Sequence, residues 1–135
     1  MVASDRPVLD DFDLKILSLV QVDNLMPLRE ISERVDLSVP AVARRLRRLR
    51  NEGVIRKDIC VVDETLVGRP LTIIVEVTME NERLDLIEEM KKRFAACAQV
   101  QQCFYVTGET DFILIMNVKD MTEYTALTRV LFFKQ

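Results

Sequence analysis

The 135-residue chain is 49% hydrophobic, with only three Gly and four Pro, which supports a packed core and argues against disorder and against a turn-rich all-β sandwich. No apolar run approaches the ~20 residues of a membrane span, and the polar, acidic stretch 1–10 lacks the pattern of a signal peptide, so a cytoplasmic protein without membrane contact is expected. The chain has no His, and Cys60, Cys97 and Cys103 are widely spaced, so neither a metal site, nor a cofactor, nor a Ser-His or Cys-His nucleophile is expected, and the thiols read as free and buried.

The net charge of −3 is unevenly spread. Segment 44–57 holds Arg44, Arg45, Arg47, Arg48, Arg50, Arg56 and Lys57 against Glu52 alone, a basic patch on an acidic body.

In chain order, Phe12, Ile16, Leu19 and Val20 repeat at helical spacing, with Asp10 or Asp11 as cap. Asp23, Asn24 and Pro27 break that helix. A second helix is expected over 28–35, with Leu28, Ile31 and Val35 inward, followed by a turn at Asp36 and Leu37. Ser38 then caps a third helix, Pro40 sits in its first turn where no N–H is needed, and Gly53 stops it. Segment 54–62 alternates partially and is expected to form a short β-wing. A hinge containing Gly68 and Pro70 follows over 63–70.

Beyond the hinge the period changes. Strands are expected over 71–78, 100–107 and 111–118, the last two joined by a hairpin turn at Gly108, Glu109 and Thr110. Helices are expected over 83–98, with Leu84, Ile87, Met90 and Phe94 on one stripe beside Lys91, and over 121–133.

Two helices, a tight turn and a third, cationic helix form the helix-turn-helix pattern. On a wheel of 100° per residue, Val42, Leu46 and Leu49 mark the buried stripe. Ala41, Arg44 and Arg48 are read on the opposite side, with Arg45 and Arg47 flanking them. A guanidinium fork suits phosphate or the guanine edge, and a small Ala permits close approach. A solvated helix face would interleave carboxylates, whereas 44–50 holds five Arg and no acid. Ser38, Pro40, Ala41, Arg44, Arg45, Arg47 and Arg48 are therefore the candidate contacts to double-stranded DNA. This reading requires the guanidinium heads to project outward together; heads tucked into internal carboxylate pairs would count against it.

The order and spacing of segments 9–17, 28–35, 37–49 and 52–55, followed by Val106-Thr107-Gly108-Glu109-Thr110-Asp111, resemble the Lrp/AsnC family of feast/famine regulators. The resemblance spans essentially the whole chain. It implies an α+β protein: a winged helix-turn-helix over 1–63, then a ferredoxin-like βαββαβ domain over 64–135 that dimerises, often assembles to octamers, and binds a small effector such as an amino acid. It makes Thr107, Gly108, Thr110 and Asp111 candidate effector residues. An ordinary hairpin turn, with Gly for its backbone angle and Asp as its cap, accounts for the same residues.

One departure from the family pattern is the absence of residues for a final strand after the last helix. That raises the alternative of a DNA-binding or assembly protein insensitive to effector. The apolar Val130, Leu131, Phe132 and Phe133 add an expectation of self-association. A sirohaem-decarboxylase-like enzyme shares the architecture, and the lack of His speaks against it.

Overall fold

A computed structural model describes residues 5–81 and 83–133. The chain divides into two compact units, Met1–Cys60 and Val61–Gln135.

The first unit holds α1 (Asp11–Val22), α2 (Leu28–Val35) and α3 (Val39–Asn51). A capping box starts α1: the Asp13 N–H donates to Asp10 Oδ1 at 2.9 Å, and the Asp10 N–H donates to Asp13 Oδ2 at 3.1 Å. α2 ends on Asp36 in the left-handed region (φ 57°), a conformation that Asp tolerates. The Ser32 hydroxyl donates to the Leu37 carbonyl across the turn. At the start of α3 the Ala41 N–H donates to Ser38 Oγ at 3.2 Å, and Pro40 occupies the first turn. Gly53, at φ 76°, turns the chain so that the Ile55 N–H reaches the Leu49 carbonyl at 3.0 Å. Ile16, Ile31, Val35, Val42 and Leu46 form the core, with Leu19, Val20 and Ile55 packed against it.

Two expectations for this unit change. Phe12, placed on the inner stripe of α1, is exposed, and Asp13 is buried instead. Asp13, Ile16 and Val20 also lie at helical spacing, so rotation by one residue brings the carboxylate inward. Segment 54–62 forms no strand, because it has no partner to pair with. It is held by Ile55 in the core and by Asp58, whose carboxylate accepts from Arg50 Nε and Nη2 and from Asn24 Nδ2, each at 2.9 Å.

The second unit runs β1 (Leu71–Val77), α4 (Leu84–Ala95), β2 (Val100–Tyr105), β3 (Phe112–Val118) and α5 (Met121–Phe132). The strands form an antiparallel sheet in the order β1-β3-β2, so the first two strands flank the third, as a split βαβ arrangement requires. Leu71, Ile73, Val75 and Val77 pair with Val118, Met116, Leu114 and Phe112. Because paired residues share a face, all eight turn toward α4 and α5 and close a core with Ile87, Phe94 and Leu131. Phe94 meets Phe112 and Phe132 edge-on, at 5.4 and 6.0 Å between ring centroids. The Arg93 guanidinium donates to the Leu131 carbonyl at 3.1 Å and ties the two helices together.

The opposite sheet face is mixed. Asn117 Nδ2 donates to Thr72 Oγ1 at 2.8 Å, while Ile74 (68% exposed) and Phe104 (49% exposed) face outward. No strand follows α5 among the described residues. Leu84, expected in the core, lies at the first position of α4 and is exposed. Cys60 and Cys103 are exposed and Cys97 half-buried, so the expectation of buried thiols is corrected, while all three are free. Of the expected apolar tail, Leu131 is buried, Phe132 half-buried, and Val130 and Phe133 exposed.

Candidate nucleic-acid interface and effector turn

The five arginines of α3 do not act alike. Arg44 and Arg47 are exposed and, among the described residues, make no ion pair or hydrogen bond. Arg45 Nη1 donates to Asp10 Oδ1 and Oδ2 at 2.8 and 2.7 Å and to Asp13 Oδ1 at 3.0 Å, and its guanidinium lies 5.3 Å from the Phe12 ring centroid. Arg48 pairs with Asp13 through Nη2 and donates to the Val8 carbonyl at 3.3 Å. Arg50 is bidentate to Asp58.

This corrects the expectation that the guanidinium heads face outward together. Arg48 lies about 120° around the helix from Val42 and Arg45 about 60°, both on the side of α1, whereas Arg44 and Arg47 fall within about 40° of the point opposite Val42. Rotation therefore directs two arginines to the buried Asp13 and leaves two clear of the core. Ser38 and Pro40 are exposed beside them, and Ala41, read as opposite the core, is half-buried. Arg56 and Lys57 are exposed on the segment after α3.

The electrostatics follow the contacts. Burial drives the Asp13 carboxyl upward, but hydrogen bonds from Arg48, the Asp10 N–H and Arg45 outweigh it and hold Asp13 below the usual carboxylate range. Asp10 is lowered by Arg45 and then by the Asp13 N–H. Asp58 is lowered by Arg50 and then by Asn24. Asp13 is a site residue that the capping pattern alone does not mark, since acids in the first turn of a helix are common. The usable signal was its place three residues before Ile16 on the inner stripe.

In the second unit, Gly108 (φ 111°) makes the turn between β2 and β3. Thr107 and Gly108 are exposed and Thr110 half-buried. Asp111 is buried and ties this turn to the end of β1: its Oδ2 accepts from the Met79 N–H at 2.6 Å, and its own N–H donates to the Val77 carbonyl at 2.9 Å. Cavities of about 380 Å³ beside Lys91 and Cys103 and about 800 Å³ along β1 are lined by none of these four residues. Within one subunit the turn is thus a structural junction with an exposed rim.

Residues 9–56 match the winged helix-turn-helix DNA-binding family and residues 72–134 the Lrp/AsnC ligand-binding domain. An uncharacterized HTH-type transcriptional regulator of Sinorhizobium fredii is 43% identical, over 93% of this chain and 75% of its own length. The leucine-responsive regulatory protein of Haemophilus influenzae is 34% identical, over 88% of this chain and 72% of its own length. The chain belongs to the Lrp/AsnC family. Among solved structures, a transcriptional regulator of Neisseria meningitidis in complex with L-Met aligns with a TM-score of 0.80 at 30% identity, covering 93% of this chain and 79% of that one. As an Lrp/AsnC protein the chain is a DNA-binding transcription regulator with a ligand-binding domain, not an enzyme, and the decarboxylase alternative falls. No helix among the described residues is long and apolar enough to cross a membrane.

Proposed function

We propose that this Lrp/AsnC regulator acts in the cytoplasm and grips operator DNA with α3, Arg44 and Arg47 carrying the direct contacts while Ser38, Pro40 and Ala41 set the approach of the helix start. The observation that supports this most is that these two arginines are exposed and unpartnered on the face away from the core. Arg56 and Lys57, exposed on the segment after α3, add positive charge to this unit. Arg45 and Arg48 act indirectly, because their guanidinium groups are engaged by carboxylates. A twofold homodimer brings two such helices to half-sites about one DNA turn, ~34 Å, apart. The exposed Ile74 and Phe104 on the open sheet face favour self-association to dimers and to higher assemblies such as octamers.

The effector reading places an amino acid at the rim formed by Thr107, Gly108 and Thr110. Asp111 supports the turn through Oδ2 and leaves Oδ1 for an amino group. The L-Met complex of the Neisseria meningitidis regulator favours this ligand class. Thr107 and Gly108 lie exposed on this rim, open to completion by a second subunit.

Bound fragments selected from genomic DNA, followed by gel shifts over a salt series, test the interface. Arg44→Ala with Arg47→Ala is expected to weaken binding on every fragment and to flatten the salt dependence by about 0.9 in slope per arginine; an unchanged slope rejects the assignment. Calorimetric titration with each of the twenty amino acids tests the effector. A binding signal that is abolished by Thr110→Val and absent from a dissociated subunit is expected, and silence with every amino acid supports the effector-insensitive alternative.

A further inference from the structure

The interface described above gives Asp13 no contact with DNA, yet Asp13 is the charged side chain most deeply placed in the first unit, 1% exposed. Both of its oxygens are taken by hydrogen bonds from two other helix-borne groups and one backbone group. Oδ1 accepts from Arg45 Nη1 at 3.0 Å, and Oδ2 accepts from Arg48 and from the Asp10 N–H, the latter at 3.1 Å. Asp10 accepts from the same Arg45 Nη1 at 2.7 and 2.8 Å, with the Phe12 ring against the same guanidinium. These residues form one connected network between the first turn of α1 and the middle of α3.

The network does something the apolar stripe cannot. Contacts of Val42, Leu46 and Leu49 are non-directional, so they bury one side of α3 while resisting small rotations about its axis only weakly. Charge-assisted hydrogen bonds have preferred directions. Arg45 and Arg48 lie about one turn apart, and a single carboxylate holding both constrains rotation and sliding together. It also withdraws two cations from the surface that meets phosphate.

We propose that Asp13 is a positioning residue for DNA recognition: by engaging Arg45 and Arg48 it fixes the rotation of α3 and restricts the DNA-facing set to Arg44 and Arg47. The inference rests on the reading in which Arg44 and Arg47 carry the contacts. Non-specific binding is governed by phosphate contacts, whereas specificity depends on side chains aligned with base edges. Loss of the Asp13 charge frees Arg48 and leaves Arg45 held by Asp10 alone, which adds indiscriminate grip and loosens alignment at once.

The test uses the full chain and two probes, a genomic fragment selected by the wild-type protein and a random-sequence duplex about three helical turns long. Asp13→Asn keeps the side chain's shape and one carbonyl acceptor but removes its charge. On the random duplex its salt slope is expected to steepen by about 0.9 for each arginine released per bound subunit. Affinity for that duplex rises, while the ratio of selected-fragment to random-duplex affinity falls by about tenfold or more. Adding Arg45→Gln and Arg48→Gln to Asp13→Asn returns the slope to the wild-type value.

A purely structural role lowers the melting temperature and both affinities with the slope unchanged, and that outcome overturns the proposal. Guanidinium NMR signals of the wild-type protein give an arm that needs no folded variant. Those of Arg44 and Arg47 shift when the selected fragment is added, while those of Arg45 and Arg48 keep their positions and slow exchange. Shifts of Arg45 and Arg48 as large as those of Arg47 overturn it as well. A wild-type slope insensitive to Arg44→Ala with Arg47→Ala sinks the interface reading and this proposal together. A sensitive wild-type slope beside an unchanged Asp13→Asn slope sinks the positioning role alone.

Discussion

The two units solve the same burial problem with different chemistry. The second closes on Phe94, Phe112, Leu114, Met116, Val118 and Leu131, and its buried polar groups, Asp111 and Asn117, hydrogen-bond to a backbone N–H and a Thr hydroxyl. Its ion pairs, such as Arg93–Glu89 at 3.0 Å, lie at the surface and contribute little each. The first unit has a smaller core, Ile16, Ile31, Val35, Val42 and Leu46, and adds a buried carboxylate shared by two arginines. Apolar burial holds a shape across a wide range of pH and salt, whereas an ion-pair network is directional and depends on charge. The unit that must present a helix to DNA in one orientation is the one built with the directional element.

The comparison can be broken at several points. The largest effect is expected from Phe94→Ala, which removes a fully buried ring and both of its edge-on aromatic contacts. A cost of about 3–5 kcal/mol follows for a core Phe. Tyr105 and Tyr124 are the chain's two tyrosines and both lie in the second unit, so tyrosine fluorescence during urea unfolding reports it. The fluorescence midpoint should fall sharply, and an unchanged midpoint would show that this core is not what holds the second unit.

Asp13→Ala comes next. It deletes the shared acceptor and half of the capping box, for about 2 kcal/mol. The loss should appear in the helical circular dichroism of the first unit, with the tyrosine signal unmoved.

Acid gives a graded version of the same effect. The folded-state values of Asp10, Asp13 and Asp58 lie below the ordinary ones. The unfolded chain therefore takes up protons first as pH falls. The stability these pairs supply is complete above about pH 4, near the unfolded carboxylate value, and is lost as pH falls through the lower folded values. Helical signal from the first unit should decline below that point before tyrosine fluorescence changes; simultaneous loss would erase the distinction between the units. The smallest expected effect is that of Gly53→Ala, whose φ of 76° penalises any Cβ by about 1 kcal/mol although nothing crowds the position.

Most of the architecture was legible because it rests on local rules. Ser38, Pro40 and Gly53 bracket α3, and the period changes after Pro70 where the strands begin. The errors fall where a tertiary partner decides. Segment 54–62 alternates like a strand but meets none, and Leu84 shares a stripe with Ile87 yet sits at a helix end beyond the core. The division among Arg44, Arg45, Arg47 and Arg48 depends on a carboxylate more than thirty residues away. Asp13, which separates the two sets, sits beside the capping acids Asp10 and Asp11, and its burial has no local signal beyond its helical spacing to Ile16. The exposure of Cys60 and Cys103 had no local signal either, since free thiols are usually buried.

The central claim is that arginines of one helix divide into a pair that meets DNA and a pair that aims it. The most direct measurement compares salt slopes on one selected fragment for Arg44→Gln with Arg47→Gln and for Arg45→Gln with Arg48→Gln. The account predicts a slope flatter by about 1.8 per bound subunit for the first combination and unchanged for the second, where affinity alone falls. Equal flattening in both would contradict it.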